Sequence, residues 1–268
     1  IGFASHTLLT RSLSEAIAAK NLSLSRALSG EVDAFLSHPL SILKQVIDVV
    51  DGQEVVASKS LDEFLGIVVE NFDLFDMIQI LDSTGKVVFV APYDREFISN
   101  NMSTLPFYQA TLERKGPFWS PTFISMQTGQ PTLTLSLPMK NGMLIGYLNL
   151  NILTDITEKV DVGGQGYVII TDQAGRTLAH PDRRNVSQQL NLKNLSIIQE
   201  GLAGHEGTFR DFVQQNEVIG SIAIVPQTKW LVVIIQESSE AFASVLKIRL
   251  VIVVGVICTA ILAILFAL

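Results

Sequence analysis

The sequence predicts an α+β chain: a long N-terminal helix, two small domains built on antiparallel sheets, and a C-terminal transmembrane helix. Three observations predict it. Leu28, Val32, Phe35, Pro39, Ile42, Val46 and Val49 follow one another in steps of four and three, the heptad seam of a long helix. Ile78-Gln79-Ile80-Leu81-Asp82-Ser83-Thr84-Gly85-Lys86 returns ninety residues later as Val168-Ile169-Ile170-Thr171-Asp172-Gln173-Ala174-Gly175-Arg176, so a unit is duplicated. Leu250 to Leu268 is an apolar run interrupted only by Gly255 and Thr259, and as a helix it covers roughly 30 Å, the thickness of a hydrocarbon core.

The elements follow in order. The seam and the looser stripe of Leu13, Ile17 and Leu24 make residues 1–59 a signalling and dimerisation helix, with a kink expected near Ser37 or His38 because Pro39 lacks an amide proton. Ser60 and Glu63 form a capping box, and Leu61, Phe64, Leu65, Val68 and Phe72 continue at helical spacing. Met77 to Leu81 and Lys86 to Ala91 are strands joined by the turn Asp82-Ser83-Thr84-Gly85. Pro106 opens a helix through Lys115, which Gly116-Pro117 closes. Strands follow near Ser120 to Ser125, Pro131 to Leu137 and Met143 to Ile152. Near the ends of the halves, Leu135-Ser136-Leu137-Pro138 is matched by Ala223-Ile224-Val225-Pro226, so residues 60–157 and 158–239 are two domains, each a five-stranded antiparallel sheet with helices on one side. The second has its own helix at Leu195 to Leu202 and a last strand at Trp230 to Gln236, after which residues 240–268 form an exit helix and the membrane anchor.

Composition narrows the function. A net charge of −7 without a basic patch argues against nucleic acid. The one cysteine, Cys258, lies in the anchor, which removes disulfides and cysteine metal sites from the folded part, and the absence of Cys-x-x-Cys-His removes attached haem. His180, Asp182 and His205 lack metal-ligand spacing, and His38 reads as a helix-surface residue. No Ser-His-Asp order, phosphate loop or paired acidic motif is present, so neither a catalytic site nor a cofactor is expected. Ile1-Gly2-Phe3 is not a signal peptide, and a chain that stops where its membrane helix stops implies a further cytoplasmic part. Lys247 and Arg249 weigh the domain side of the anchor towards the cytoplasm.

The β-ribbon at residues 131–152 permits an inference from alternation alone. Asn141-Gly142 is the preferred two-residue turn, which pairs Lys140 with Met143, Ser136 with Tyr147, Thr134 with Asn149 and Thr132 with Asn151. One face is then hydroxyls and amides, and the other is Leu133, Leu135, Leu137, Leu148, Leu150 and Ile152. The polar face is either a solvated exterior or the wall of a ligand site.

Leu105-Pro106-Phe107-Tyr108-Gln109, Thr128-Gly129-Gln130-Pro131-Thr132, Gly163-Gly164-Gln165-Gly166-Tyr167 and Leu178-Ala179-His180-Pro181, in this order, resemble the double Cache module: two PAS-like sheets in tandem found outside the membrane in bacterial chemoreceptors, sensor histidine kinases and diguanylate cyclases. The resemblance implies a sensor that binds a small molecule in the first sheet domain, an extracytoplasmic (periplasmic) location at the bacterial inner membrane, and any kinase or cyclase activity in a cytoplasmic part. Amino-acid-binding members carry Arg-x-Trp-Tyr, Tyr-x-Asp and a final Asp, where this chain has Leu105-Pro106-Phe107-Tyr108, Phe123-Ile124-Ser125 and Asn151. Losing the Arg and Asp removes the carboxylate clamp and the ammonium partner. The resemblance thus favours the ligand-site reading of the polar face, with Phe107, Tyr108, Trp119, Phe123, Ser125, Thr132, Thr134, Asn149 and Asn151 around a small neutral or weakly polar ligand. The expected whole is a homodimeric, membrane-anchored input domain of a sensor histidine kinase. The alternatives are a chemoreceptor or diguanylate cyclase input, or a dimerisation or docking module without a small-molecule ligand.

Overall fold

The long helix, α1 (Gly2–Gly52), runs 51 residues without ending at Pro39, a rod of about 75 Å. The computed structural model describes residues 2–52, 58–163, 166–213 and 216–238. The expected exit helix and membrane segment at 240–268 lie outside these, and among the described residues no helix is long and apolar enough to cross a membrane.

Behind α1 come α2 (Ser58–Phe72), β1 (Phe75–Asp82), β2 (Val87–Ala91), α3 (Pro106–Arg114), β3 (Phe118–Trp119), β4 (Phe123–Ile124), β5 (Pro131–Thr132), β6 (Thr134–Met139), β7 (Gly142–Leu148) and α4 (Asn151–Glu158). The second half contains β8 (Tyr167–Thr171), β9 (Thr177–Ala179), α5 (Arg183–Ser187), α6 (Ser196–Leu202), β10 (Gly207–Val213), β11 (Asn216–Ile224) and β12 (Leu231–Glu237). The first sheet has the order β2-β1-β7-β6-β3 and the second, read from its opposite edge, β9-β8-β12-β11-β10, so the duplication predicted from the sequence is a duplication of topology. Every pairing is antiparallel.

The duplication reaches well beyond the nonapeptide. Asp82 accepts the amides of Thr84 and Lys86 at 2.8 and 3.1 Å, and Asp172 accepts those of Ala174 and Arg176 at 2.8 and 2.9 Å. Ninety residues apart again, Asn101 and Asn191 bridge back to Lys86 and Arg176, and the Gln109 and Gln199 amides donate to the Ser103 and Lys193 carbonyls. The helices α3 and α6 thereby start at equivalent places.

Helices cover both faces of the sheets, not one. On one face α1 lies along β6 and β7 of the first sheet and β11 and β12 of the second. Its Val32, Leu36, Leu43 and Val46 join Leu133, Leu135, Leu137, Leu144 and Leu148 of the first sheet and Val168, Ile170, Val232 and Ile234 of the second in a single core. The expected self-association seam is therefore spent inside the chain: Leu28, Val32, Phe35, Pro39 and Val46 are buried against these sheets, Ile42 is half-buried and only Val49 is exposed. Leu36 and Leu43, off the four-three pattern, are fully buried. A helix that covers two twisted sheets needs a wider stripe than a coiled coil. A homodimer built on that seam loses the surface assigned to it.

Smaller differences have local causes. The second helix begins at Ser58, so Ser60 lies within its first turn and not at a cap. Lys115 ends α3 in the left-handed region at φ 51°. The β6–β7 turn is Lys140-Asn141, pairing Met139 with Gly142, Ser136 with Ile145 and Thr134 with Tyr147, two residues off the register expected from Asn-Gly. Gly142 (φ 156°) sits beside the first strand, where a Cβ would overlap the Leu81 carbonyl, so it serves the neighbouring strand and not the turn.

Candidate ligand site in the first sheet

A two-residue slip leaves the side chains that stay within β6 and β7 on their predicted faces, because strands alternate with period two. The polar face of β6 and β7 therefore exists, and it is buried: Thr132, Thr134 and Ser136 are inaccessible to solvent. What covers it is α3 together with the segment from β3 to β5. Phe107 and Tyr108, in the first turn of α3, pack with Met77, Met143 and Ile145, with Phe118 and Tyr147 beside them. Thr111, one turn on, donates to the Phe107 carbonyl at 2.7 Å and shares a 2.6 Å hydrogen bond with the Ser136 hydroxyl. Tyr147 donates to Gln79 Oε1 at 3.3 Å, and its ring meets Phe123 edge-on at 6.4 Å. Burial pushes the Tyr147 phenol up to about 12, so it stays neutral.

One polar group in this face is left over. Among the described residues the buried Thr134 hydroxyl has no hydrogen-bond partner. A buried hydroxyl without a partner costs about 1–3 kcal/mol, which a ligand group hydrogen-bonding there recovers.

Of the residues expected at the site, Phe107, Tyr108, Phe123 and Thr134 are brought together here. The Thr132 hydroxyl is buried nearby and donates to the Leu148 carbonyl at 2.8 Å. Ser125 accepts the amides of Gln127 and Thr128 and so shapes the β4–β5 turn. Three residues lie elsewhere. Trp119 pairs with Leu135, on the opposite face, where it packs against the α1 core; its neighbour Phe118, opposite Ser136, takes the site position. Asn149 and Asn151 leave the strand altogether: Asn149 Oδ1 accepts the Asn151 amide at 3.0 Å at the start of α4. Asn151 is exposed and lines a separate cleft of about 510 Å³ with Arg183 and Arg184. Gln79 and Thr111 were not anticipated. The signal for Gln79 was available, as the one polar residue in the apolar run Met77 to Leu81.

The second sheet offers a control within the same chain. Register equates Gln79, Thr134, Ser136 and Tyr147 with Ile169, Gly220, Ile222 and Ile235, and the ninety-residue offset equates Phe107, Tyr108 and Thr111 with Ile197, Ile198 and Gly201. All the polar positions have become apolar or glycine. The glycines let α6 sit directly on the sheet: a Cβ at Gly220 would overlap Ile197, and one at Gly201 would press on Leu231. The equivalent face in the second sheet is filled by its own packing.

Two tandem sheets of one topology thus lie along a shared helix, with a polar buried face under a helix in the first only. A family model described as a Cache domain, dCache_1, matches residues 9–245, and the chain belongs to that family. It is accordingly a ligand-binding sensor region and not an enzyme. The chain is similar to the methyl-accepting chemotaxis protein PscA of Pseudomonas syringae pv. tomato, 24% identical over 212 residues, which make up 75% of this chain and 32% of that protein. It thus spans about a third of the length of that relative. Among solved structures it resembles the ligand-binding domain of the Pseudomonas aeruginosa PAO1 amino acid chemoreceptor PctB in complex with L-Arg (TM-score 0.68, 17% identity, 85% of this chain and 98% of that one). It also resembles the ligand-binding domain of the Campylobacter jejuni chemoreceptor Tlp3 in complex with 4-methylisoleucine (TM-score 0.70, 14% identity, 87% and 95%).

Proposed function

We propose that the chain is the extracytoplasmic input domain of a membrane receptor and that it binds a small neutral, hydrogen-bonding molecule under α3 of the first sheet. The observation that carries this is the contrast between the two sheets: a polar, buried face with an unpaired Thr134 hydroxyl in the first, and apolar residues and glycines at the equivalent places in the second. The groups that converge there, Gln79, Thr111, Thr134, Ser136 and Tyr147, are neutral, which favours amides, diols and alcohols over zwitterions. The similarity to a protein named as a methyl-accepting chemotaxis protein supports a chemoreceptor output over a histidine kinase.

Calorimetry and thermal shift separate neutral ligands from amino acids. A library of neutral amides, diols and alcohols should contain a stabilising ligand whose affinity falls at least tenfold in Thr134→Val and in Gln79→Leu, while the twenty common amino acids give no heat. One carboxylate of β1, Asp76, is half-buried at the bulge before Met77, where burial raises its pKa from the ordinary value. Micromolar binding of an amino acid that Asp76→Asn abolishes would overturn the neutral-ligand reading, because that acid would then be holding an ammonium group.

A further inference from the structure

Both tryptophans of the chain, Trp119 and Trp230, line one cleft of about 490 Å³ where the segment after α3 meets the turns of the second sheet. Trp230 is buried and Trp119 half-buried. Two guanidinium groups reach the same cleft. Arg114, the last residue of α3, lies over the Phe118 ring at 5.0 Å from its centre, and Arg176, from the turn before β9, donates to the Thr122 carbonyl at 3.2 Å. Among the described residues neither has a carboxylate within ion-pair distance, although Asp172 shares the cleft. That acid is already occupied by the Thr122 hydroxyl and the amides of Ala174 and Arg176. The buried Thr228 hydroxyl, also in the lining, has no hydrogen-bond partner among the described residues.

Two unpaired cations, flat aromatic walls and a vacant hydroxyl specify a ligand chemistry. A carboxylate accepts paired, charge-assisted hydrogen bonds from a guanidinium, and a planar ring stacks on indole and phenyl faces. The volume falls in the range of small-molecule sites. We propose that this cleft is a second ligand site, distinct from the one under α3, and that it takes aromatic carboxylates, with Arg114 and Arg176 on the carboxylate and Trp119 and Trp230 beside the ring. Because its walls come from both sheets, its occupant ties the two halves of the sensor together.

The two tryptophans make the test selective, since indole emission from this chain reports on the cleft alone. The complete chain in detergent micelles, excited at the red edge of indole absorption, is titrated with benzoate and, separately, with benzamide, its neutral counterpart. Saturable quenching or a spectral shift with benzoate is expected, with benzamide at least tenfold weaker. Arg114→Gln, which removes the guanidinium lying over the Phe118 ring, should weaken benzoate at least tenfold, and Arg114→Lys should recover part of the loss. Thr134→Val, in the other site, should leave the titration unchanged. No saturable response to benzoate, equal affinity for benzamide, or indifference to Arg114→Gln in a variant with native circular dichroism overturns the proposal. A response abolished by Thr134→Val assigns the benzoate to the site under α3 and equally overturns it.

Discussion

At the scale of single residues, the difference between the two sheets rests on which side chains face inward at equivalent places. Gly220 holds the place that Thr134 holds in the first sheet, and its missing Cβ is the space that Ile197 of α6 occupies. Gly220→Ala should therefore destabilise the chain by about 1–3 kcal/mol through overpacking, read as a lower midpoint of urea unfolding, without altering binding under α3. His180 makes the second sheet domain sensitive to acid. Its Nδ1 accepts the Asp182 amide at 2.8 Å, and burial holds its pKa below the usual 6.5 despite the opposing charge of Asp182. The unfolded chain therefore takes up the proton first, so the contribution of neutral His180 is complete above about pH 6.5 and is lost as the pH falls below it. Urea midpoints between pH 7.5 and 5 should drop less in His180→Gln, which retains an acceptor, than in the parent chain.

At the scale of elements, what the sequence made legible is what depends on local chemistry. The repeated Asp-x-x-Gly turns, Pro106 at the start of α3 and the alternation of β6 and β7 are all in place, because each is set by neighbours within a few residues. Misplaced features were decided by distant contacts. Gly142 answers to Leu81 on a strand sixty residues earlier, which moved the turn by one residue and the pairing by two, and left Asn149 past the end of the strand and Asn151 at the start of α4. β3 has two residues, too few to show an alternation, so nothing local distinguished Phe118 from Trp119. The stripe on α1 was visible, but a sequence pattern does not say whose surface the stripe covers. Since that surface belongs to the chain's own sheets, Leu36→Ala, at a fully buried position off the heptad pattern, should cost about 2–5 kcal/mol in urea unfolding, and Phe35→Glu with Ile42→Glu should unfold the chain and not merely separate protomers. A double variant with native circular dichroism and weaker self-association would restore the intermolecular seam.

At the scale of the whole molecule, the two halves share more than α1. The segment that carries Phe118 and Phe123 to the site under α3 also carries the buried Thr122, whose hydroxyl donates to Asp172 and whose carbonyl accepts from Arg176, both in the turn between β8 and β9. The equivalent acid in the first half, Asp82, is partnered instead by Thr84 of its own turn, so this clasp is a feature of the second half alone. A ligand that meets Phe123 and Thr134 therefore acts on a segment already bonded to the second sheet, and it moves that sheet only in so far as it binds two positions of the segment with different affinity. Thr122→Val keeps the shape of the side chain and removes the donor. It leaves a buried carboxylate one partner short, a loss of about 1–3 kcal/mol, so the amides of Ala174 and Arg176 should exchange with deuterium about tenfold faster or more, while those of Thr84 and Lys86 are unchanged. With a ligand bound under α3, the parent chain should show altered exchange along β8, β9 and β12, and Thr122→Val should lose that response while its affinity stays within a few-fold of the parent. If β12 still responds in the variant, the coupling runs along α1, whose Asn21 side chain donates to Gln236 of β12 at 2.9 Å inside the same core, and Asn21→Leu becomes the substitution that silences it.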